Sequence, residues 1–142
     1  MKTLEIKGLS AEARQVLATL TNQSQRTAIL EALRGEEGAF FAQRIKEICA
    51  TWAAMPKTYE TDGQGRDALA RLHYFTSGCD WWIVEKDVDP DHAGQAQAFG
   101  IADLGMGAEL GYISLPEILA AGAELDLYWT PKTVREILDG AR

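Results

Sequence analysis

Apolar residues recur with helical spacing over the first 55 positions and with strand-like alternation later, so the chain changes grammar part-way along. Ala13, Val16, Leu17 and Leu20 follow an i, i+3, i+4, i+7 pattern, with Ser10 placed to cap the helix and Glu12 at the positive end of its dipole. Thr21-Asn22-Gln23-Ser24 breaks that pattern and starts another, whose stripe is Ile29, Leu30 and Leu33 and whose end is Gly35. A third helix begins near Glu36 or Glu37, carries Phe41, Ile45, Ile48, Cys49 and Trp52 along one side, and stops before Pro56. Residues 2–7 alternate charged and apolar side chains and read as a short strand or an extended arm.

Residues 56–67 are polar and contain Gly63 and Gly65, which predicts a loop. Aromatic and β-branched runs between turn residues then predict strands. These are Leu72–Phe75, Asp80–Glu85, Gln97–Leu104, Leu110–Ile113 and Leu125–Trp129, with a charged loop over 86–95. Gly105-Met106-Gly107 lies between two such runs and reads as a hairpin turn, since a phosphate-binding loop would open a helix. Ser114, with Pro116 and Glu117 behind it, starts a short helix closed by Gly122. Thr130 with Pro131 is expected to cap a terminal helix bearing Val134, Ile137 and Leu138. The expected class is α+β: three N-terminal helices packed on a mostly antiparallel sheet of about five strands, with two short C-terminal helices. One domain over 1–142 is expected, with a helical leader over 1–55 and an α+β region over 56–142, because two halves of about 70 residues are small for independent cores.

Composition changes this picture in one respect. The chain has 142 residues, 46% of them hydrophobic, and a formal net charge of -7. Residues 1–70 hold nine Lys/Arg and nine Asp/Glu, whereas residues 71–142 hold five and twelve, so the second half carries the whole imbalance. Phosphate binding requires cations, so direct nucleic-acid binding by that half is disfavoured. No apolar run approaches the roughly 20 residues of a membrane span. The first residues lack a signal-peptide core, and two cysteines make no disulfide framework, so a cytoplasmic protein is expected.

A series of ordered strings carries a family likeness. They are Leu72-His73-Tyr74-Phe75, Asp80-Trp81-Trp82-Ile83-Val84-Glu85-Lys86-Asp87, Gln97-Ala98-Phe99-Gly100, Glu109-Leu110-Gly111-Tyr112-Ile113-Ser114-Leu115-Pro116-Glu117-Ile118, and Glu124-Leu125-Asp126-Leu127-Tyr128-Trp129-Thr130-Pro131-Lys132. Together with Met55-Pro56-Lys57-Thr58-Tyr59 and Asp62-Gly63-Gln64-Gly65, they resemble the domain of unknown function 2958 (DUF2958) family over about residues 51–139. The resemblance implies a product carried by bacterial conjugative plasmids, integrative elements or phages. It brings no catalytic residues to carry over, and residues 1–50 lie outside it.

The densest set of candidate ligands is Glu85, Asp87, Asp89, Asp91 and His92. Alternating carboxylates suit a hard cation, and Glu85, Asp87, Asp103 and Glu109 are the candidates for a metal-dependent nuclease. Against a metal at Asp87, Asp89, Asp91 and His92, the segment lacks the glycine and terminal glutamate of a calcium loop, and Asp-Pro-Asp-His is ordinary turn chemistry. No cofactor is implied. His73 and His92 have no zinc spacing, Cys49 reads as inert core, and a Cys79–His73 nucleophile pair has nothing to orient it. Trp81 and Trp82 must point to opposite sheet faces, so one is core and the other is covered or exposed. Trp81, Trp82, Tyr112 and Trp129 are the candidate interaction anchors.

The favoured function is therefore a non-enzymatic accessory protein of a mobile element that binds another protein, in its sharper version an acidic inhibitor of a host DNA-binding or defence protein. The alternatives are the metal-dependent nuclease or hydrolase and a DNA-binding regulator built on the N-terminal helices. That regulator would contact phosphates through Arg26, Arg34, Arg44 and Lys46, but Phe40 and Phe41 occupy the start of its recognition helix.

Overall fold

A computed structural model describes residues 9–57, 60–61, 63–86 and 97–140. They fall into two compact units divided between Ala54 and Met55. The extended arm expected over 2–7 and most of the charged loop over 86–95 lie outside the described residues.

The first unit is helical. α1 (Ala11–Leu20) starts where Ser10 accepts a hydrogen bond from Ala13 N–H at 3.0 Å. Asn22 caps α2 (Gln23–Arg34) in the same way, through Gln25 N–H. Leu17, Leu20, Ile29, Ile45 and Ile48 are buried, as the helical spacing predicts. α3 (Gly38–Ala54) begins at a glycine for a steric reason: a Cβ on Gly38 would lie 2.2 Å from the Leu33 carbonyl oxygen. Cys49 is half-buried rather than sealed in the core, and burial pushes its thiol above the ordinary value.

The second unit is built on a five-stranded antiparallel sheet in the order β5-β4-β3-β2-β6. The strands are β2 (Leu72–Thr76), β3 (Cys79–Glu85), β4 (Gln97–Asp103), β5 (Ala108–Ser114) and β6 (Glu124–Leu125). A two-stranded ribbon pairs β1 (Leu69–Ala70) with β7 (Lys132–Thr133). Two short helices complete the unit, α4 (Leu115–Ala120) and α5 (Val134–Leu138). The α+β class, the N-terminal helices and the antiparallel sheet thus follow the sequence pattern.

Two C-terminal expectations are corrected. Only Glu124–Leu125 of the run 125–129 and its flank is strand, because the Asp126 carboxylate accepts from Tyr128 N–H at 2.9 Å and folds the chain into a turn. The terminal helix is capped by Thr133, not Thr130. Thr133 accepts from Glu136 N–H, and Glu136 reaches back to Thr133 N–H at 2.9 Å, a reciprocal box that Thr130 has no acid to form.

Register sorts the side chains onto two faces. His73, Trp82, Ile101 and Leu110 occupy one cross-strand row, and Glu85, Phe99 and Tyr112 occupy another on the same face. Trp82, Val84 and Ile101 form a core there with Ala68, Ala70, Val134 and Ile137. Tyr74, Trp81 and Ala102 face the opposite way. Both tryptophans are interior, Trp81 at 8% exposure and Trp82 at 2%, so neither is the free anchor that the sequence left open. Burial also drives the Tyr74 phenol far above its usual titration range.

Candidate functional site

The site grows from an irregularity in β3. Its register with β4 shifts between Ile83 and Glu85, where a bulge re-aims the strand end. Val84 stays with the core, while Glu85 lies across from Phe99. A cavity of about 300 Å³ opens here, walled by Phe99, Leu110, Tyr112, Val84, Val134 and Ala68, with Arg66 and the Gly63–Gly65 turn also lining it. The Phe99 and Tyr112 rings meet edge-to-face at 5.4 Å between centroids.

Glu85 is 3% exposed and is the buried acid of this cavity. Its carboxylate accepts from Thr61 N–H at 3.0 Å and from the Thr61 hydroxyl. The bonds tie Thr61 to the end of β3, and Lys86 N–H to Pro56 O at 2.9 Å fastens Pro56 beside it. Burial lowers Lys86 below the usual ammonium value, Lys57 adds to this, and Glu60 opposes it. Replacing Glu85 by alanine leaves a buried donor pair on Thr61 without its acceptor. The expected cost is about 1–3 kcal/mol in denaturant unfolding, with Glu85→Gln losing clearly less because it retains an amide oxygen. Equal losses for the two variants would show that the Thr61 bonds contribute nothing.

A second cluster lies on the same face, away from the cavity. His73 Nε2 meets Asp80 Oδ1 at 2.8 Å, and its Nδ1 meets Asp126 Oδ2 at 3.0 Å. Both ring nitrogens therefore face carboxylate oxygens, one on each side of the imidazole. The ring stacks on Trp82 at 5.3 Å and lies 5.0 Å from Trp129. Trp129 is itself anchored by its indole N–H to Ala70 O at 3.0 Å, which makes it half-buried wall rather than a free contact residue. The cluster fastens the turn after β6 to the sheet, a role strengthened by Asp126 N–H to His73 O at 2.8 Å. It has no reactive geometry: Cys79 projects from the other side of β3, and the two aspartates lie at opposite ring nitrogens, so no single ion reaches all three groups.

The structure separates the proposed nuclease acids. Asp103 pairs with Asp80 at one end of the sheet, four residues along β4 from the Glu85–Phe99 rung, a span of about 13 Å. Asp103 accepts from Gly105 N–H at 2.9 Å in the turn. Glu109 lies on the opposite face, beside Ala102. Asp87, Asp89, Asp91 and His92 lie outside the described residues. Among the described residues, no group of three or more His, Cys, Asp or Glu side chains is placed to hold a metal ion. No helix among them is long and apolar enough to cross a membrane.

On the helical unit, Arg26 donates to the Thr21 carbonyl at 2.7 Å, and Arg44 pairs with Glu47 at 2.7 Å. Two of the three guanidiniums proposed for phosphate contact are thus engaged within their own unit. Among the four aromatic candidates for interaction, Tyr112 is the exposed one, at 55%. Leu110 at 49% and Met106 at 91% join it, and neither was singled out from sequence. The β5 alternation held the signal, since Leu110 and Tyr112 share a face, but their exposure is decided by tertiary packing. No protein-family model matches the chain, and no curated protein or solved structure matches it.

Proposed function

We propose that this protein is a non-enzymatic accessory protein of a bacterial mobile element that acts by binding another protein, with the β4–β5 end of the sheet as its contact surface. The observation that carries the reading is the exposure of Leu110 and Tyr112 side by side on an outer strand, bordering a cavity with an aromatic wall. A cluster of exposed apolar side chains beside a concavity is the usual form of a protein contact. The resemblance to the DUF2958 family supplies the mobile-element setting. The acidic balance of residues 71–142 supports the sharper version, in which the protein occupies a basic surface of a host DNA-binding or defence protein. Separation of Glu85, Asp103 and Glu109 weighs against the nuclease alternative.

Affinity purification from the bacterial host tests the reading. The wild-type chain is expected to recover a stoichiometric partner. The double variant Leu110→Asp, Tyr112→Asp should lose at least about tenfold of it, the scale of a disrupted interface anchor, while its circular dichroism spectrum shows that it remains folded. Recovery of nothing stoichiometric, or equal recovery by the variant, rejects it.

A further inference from the structure

We infer that the outer edge of β5 receives an extended segment of the partner as a sixth strand, and that this segment alternates apolar residues with Lys or Arg. The inference rests on the protein-binding reading and adds the partner's chemistry. Among the described residues β5 ends the sheet, with β4 on its inner side. An edge strand offers a row of main-chain groups to any extended chain, and folded proteins blunt such edges with lysines, prolines or bulges. Ala108–Ser114 has none of these: its sequence is Ala-Glu-Leu-Gly-Tyr-Ile-Ser, and its register with β4 runs unbroken through seven pairs. Strand addition is the recognition mode that such an edge supports.

The two faces of the edge then dictate the pattern of the incoming strand. On one face, Leu110 and Tyr112 are half-exposed beside the cavity, so side chains placed next to them are apolar. On the other face, Glu109 is exposed, and a Cβ on neighbouring Gly111 would meet nothing within 4 Å. That open space admits a long cationic side chain reaching the Glu109 carboxylate. Charge complementarity selects the same partner at longer range. Residues 97–114 carry Asp103 and Glu109 and no Lys or Arg, and residues 55–142 hold seven Lys/Arg against fifteen Asp/Glu, a net charge of -8. A second copy of this unit would set -8 against -8, so the field opposes self-pairing and favours a basic segment.

Titration of the isotope-labelled full-length protein with the acetylated, amidated peptide Lys-Val-Lys-Val-Lys-Val-Lys tests this by amide chemical shifts. The shifts should concentrate on Ala108–Ser114, and affinity should fall with added salt. Two control peptides, one with Glu for every Lys and one with Pro for the central Val, should bind at least tenfold more weakly. The exposed-site variant Glu109→Lys should narrow the preference for the Lys peptide over the Glu peptide, without reversing it, because the unit keeps its negative balance. Unmoved β5 amides, equal affinity for all three peptides, or β5 shifts produced by raising the protein concentration alone would overturn the inference. Peptide failure together with loss of the host partner by the Leu110→Asp, Tyr112→Asp variant rejects only the basic-strand chemistry. Retention of the partner by that variant rejects the contact surface, and the strand with it.

Discussion

Gly100→Ala is expected to cost at least about 3 kcal/mol, at or beyond the upper end of ordinary overpacking losses. Gly100 pairs with Ile83 at the point where β3 departs from regular register. A Cβ built there would lie 1.9 Å from the Trp82 carbonyl oxygen and 2.9 Å from its carbonyl carbon. The obstacle is main chain, which cannot rotate away as a flexible side chain does. The β3–β4 ladder must therefore open, and the Glu85–Phe99 rung next to it must move. Chemical denaturation followed by circular dichroism measures the loss. Amide exchange should localise it, with protection falling first in β3 and β4. A stability within 1 kcal/mol of wild type would show that the two strands approach less closely than the structure has them.

Trp82→Ala carries the second large effect, about 3–5 kcal/mol for removing a buried aromatic side chain. Trp82 packs with Val84, Ile101, Val134 and Ile137, so its loss leaves a cavity between the sheet and α5. It also removes the surface on which His73 stacks. Two readouts separate these consequences. Denaturation reports the cavity, and the His73 ring resonances report whether Asp80 and Asp126 still hold the imidazole once its stacking partner has gone. Trp82→Phe should recover more than half of the lost stability because it refills most of the space. Loss of less than 1 kcal/mol in Trp82→Ala would rule out Trp82 as a centre of the core. Trp81→Ala provides a contrast on the opposite face, where no imidazole shift is expected.

Local signals account for most of the elements that the sequence reveals. Ser10, Asn22 and Ser114 cap helices because a short side-chain oxygen meets an otherwise unbonded N–H within three residues. The β2–β3 and β4–β5 hairpins follow from alternation and intervening turn residues. The misses occur where two local signals compete. Leu125–Trp129 alternates like a strand, but the Asp126 side chain and the bond from Trp129 N–H to Asp126 O at 3.4 Å close a turn. Thr130-Pro131 resembles a helix start, yet Thr133 with Glu136 satisfies more donors. The ribbon of β1 with β7 joins residues more than sixty positions apart, beyond any window of periodicity.

Composition and order alone determined the α+β class, the helical N-terminal third and the concentration of negative charge after residue 70. These depend on local spacing and on counting. The contact surface did not. Trp81 and Trp82 are the conspicuous anchors on paper, but both are buried, whereas Leu110 and Tyr112 on the outer strand are among the exposed apolar side chains. Glu85 and Thr61, 24 positions apart, become partners only when the bulge turns the end of β3 toward the preceding loop. Exposure and convergence are properties of which elements pack beside which, and strand order is settled by long-range burial that no local pattern encodes.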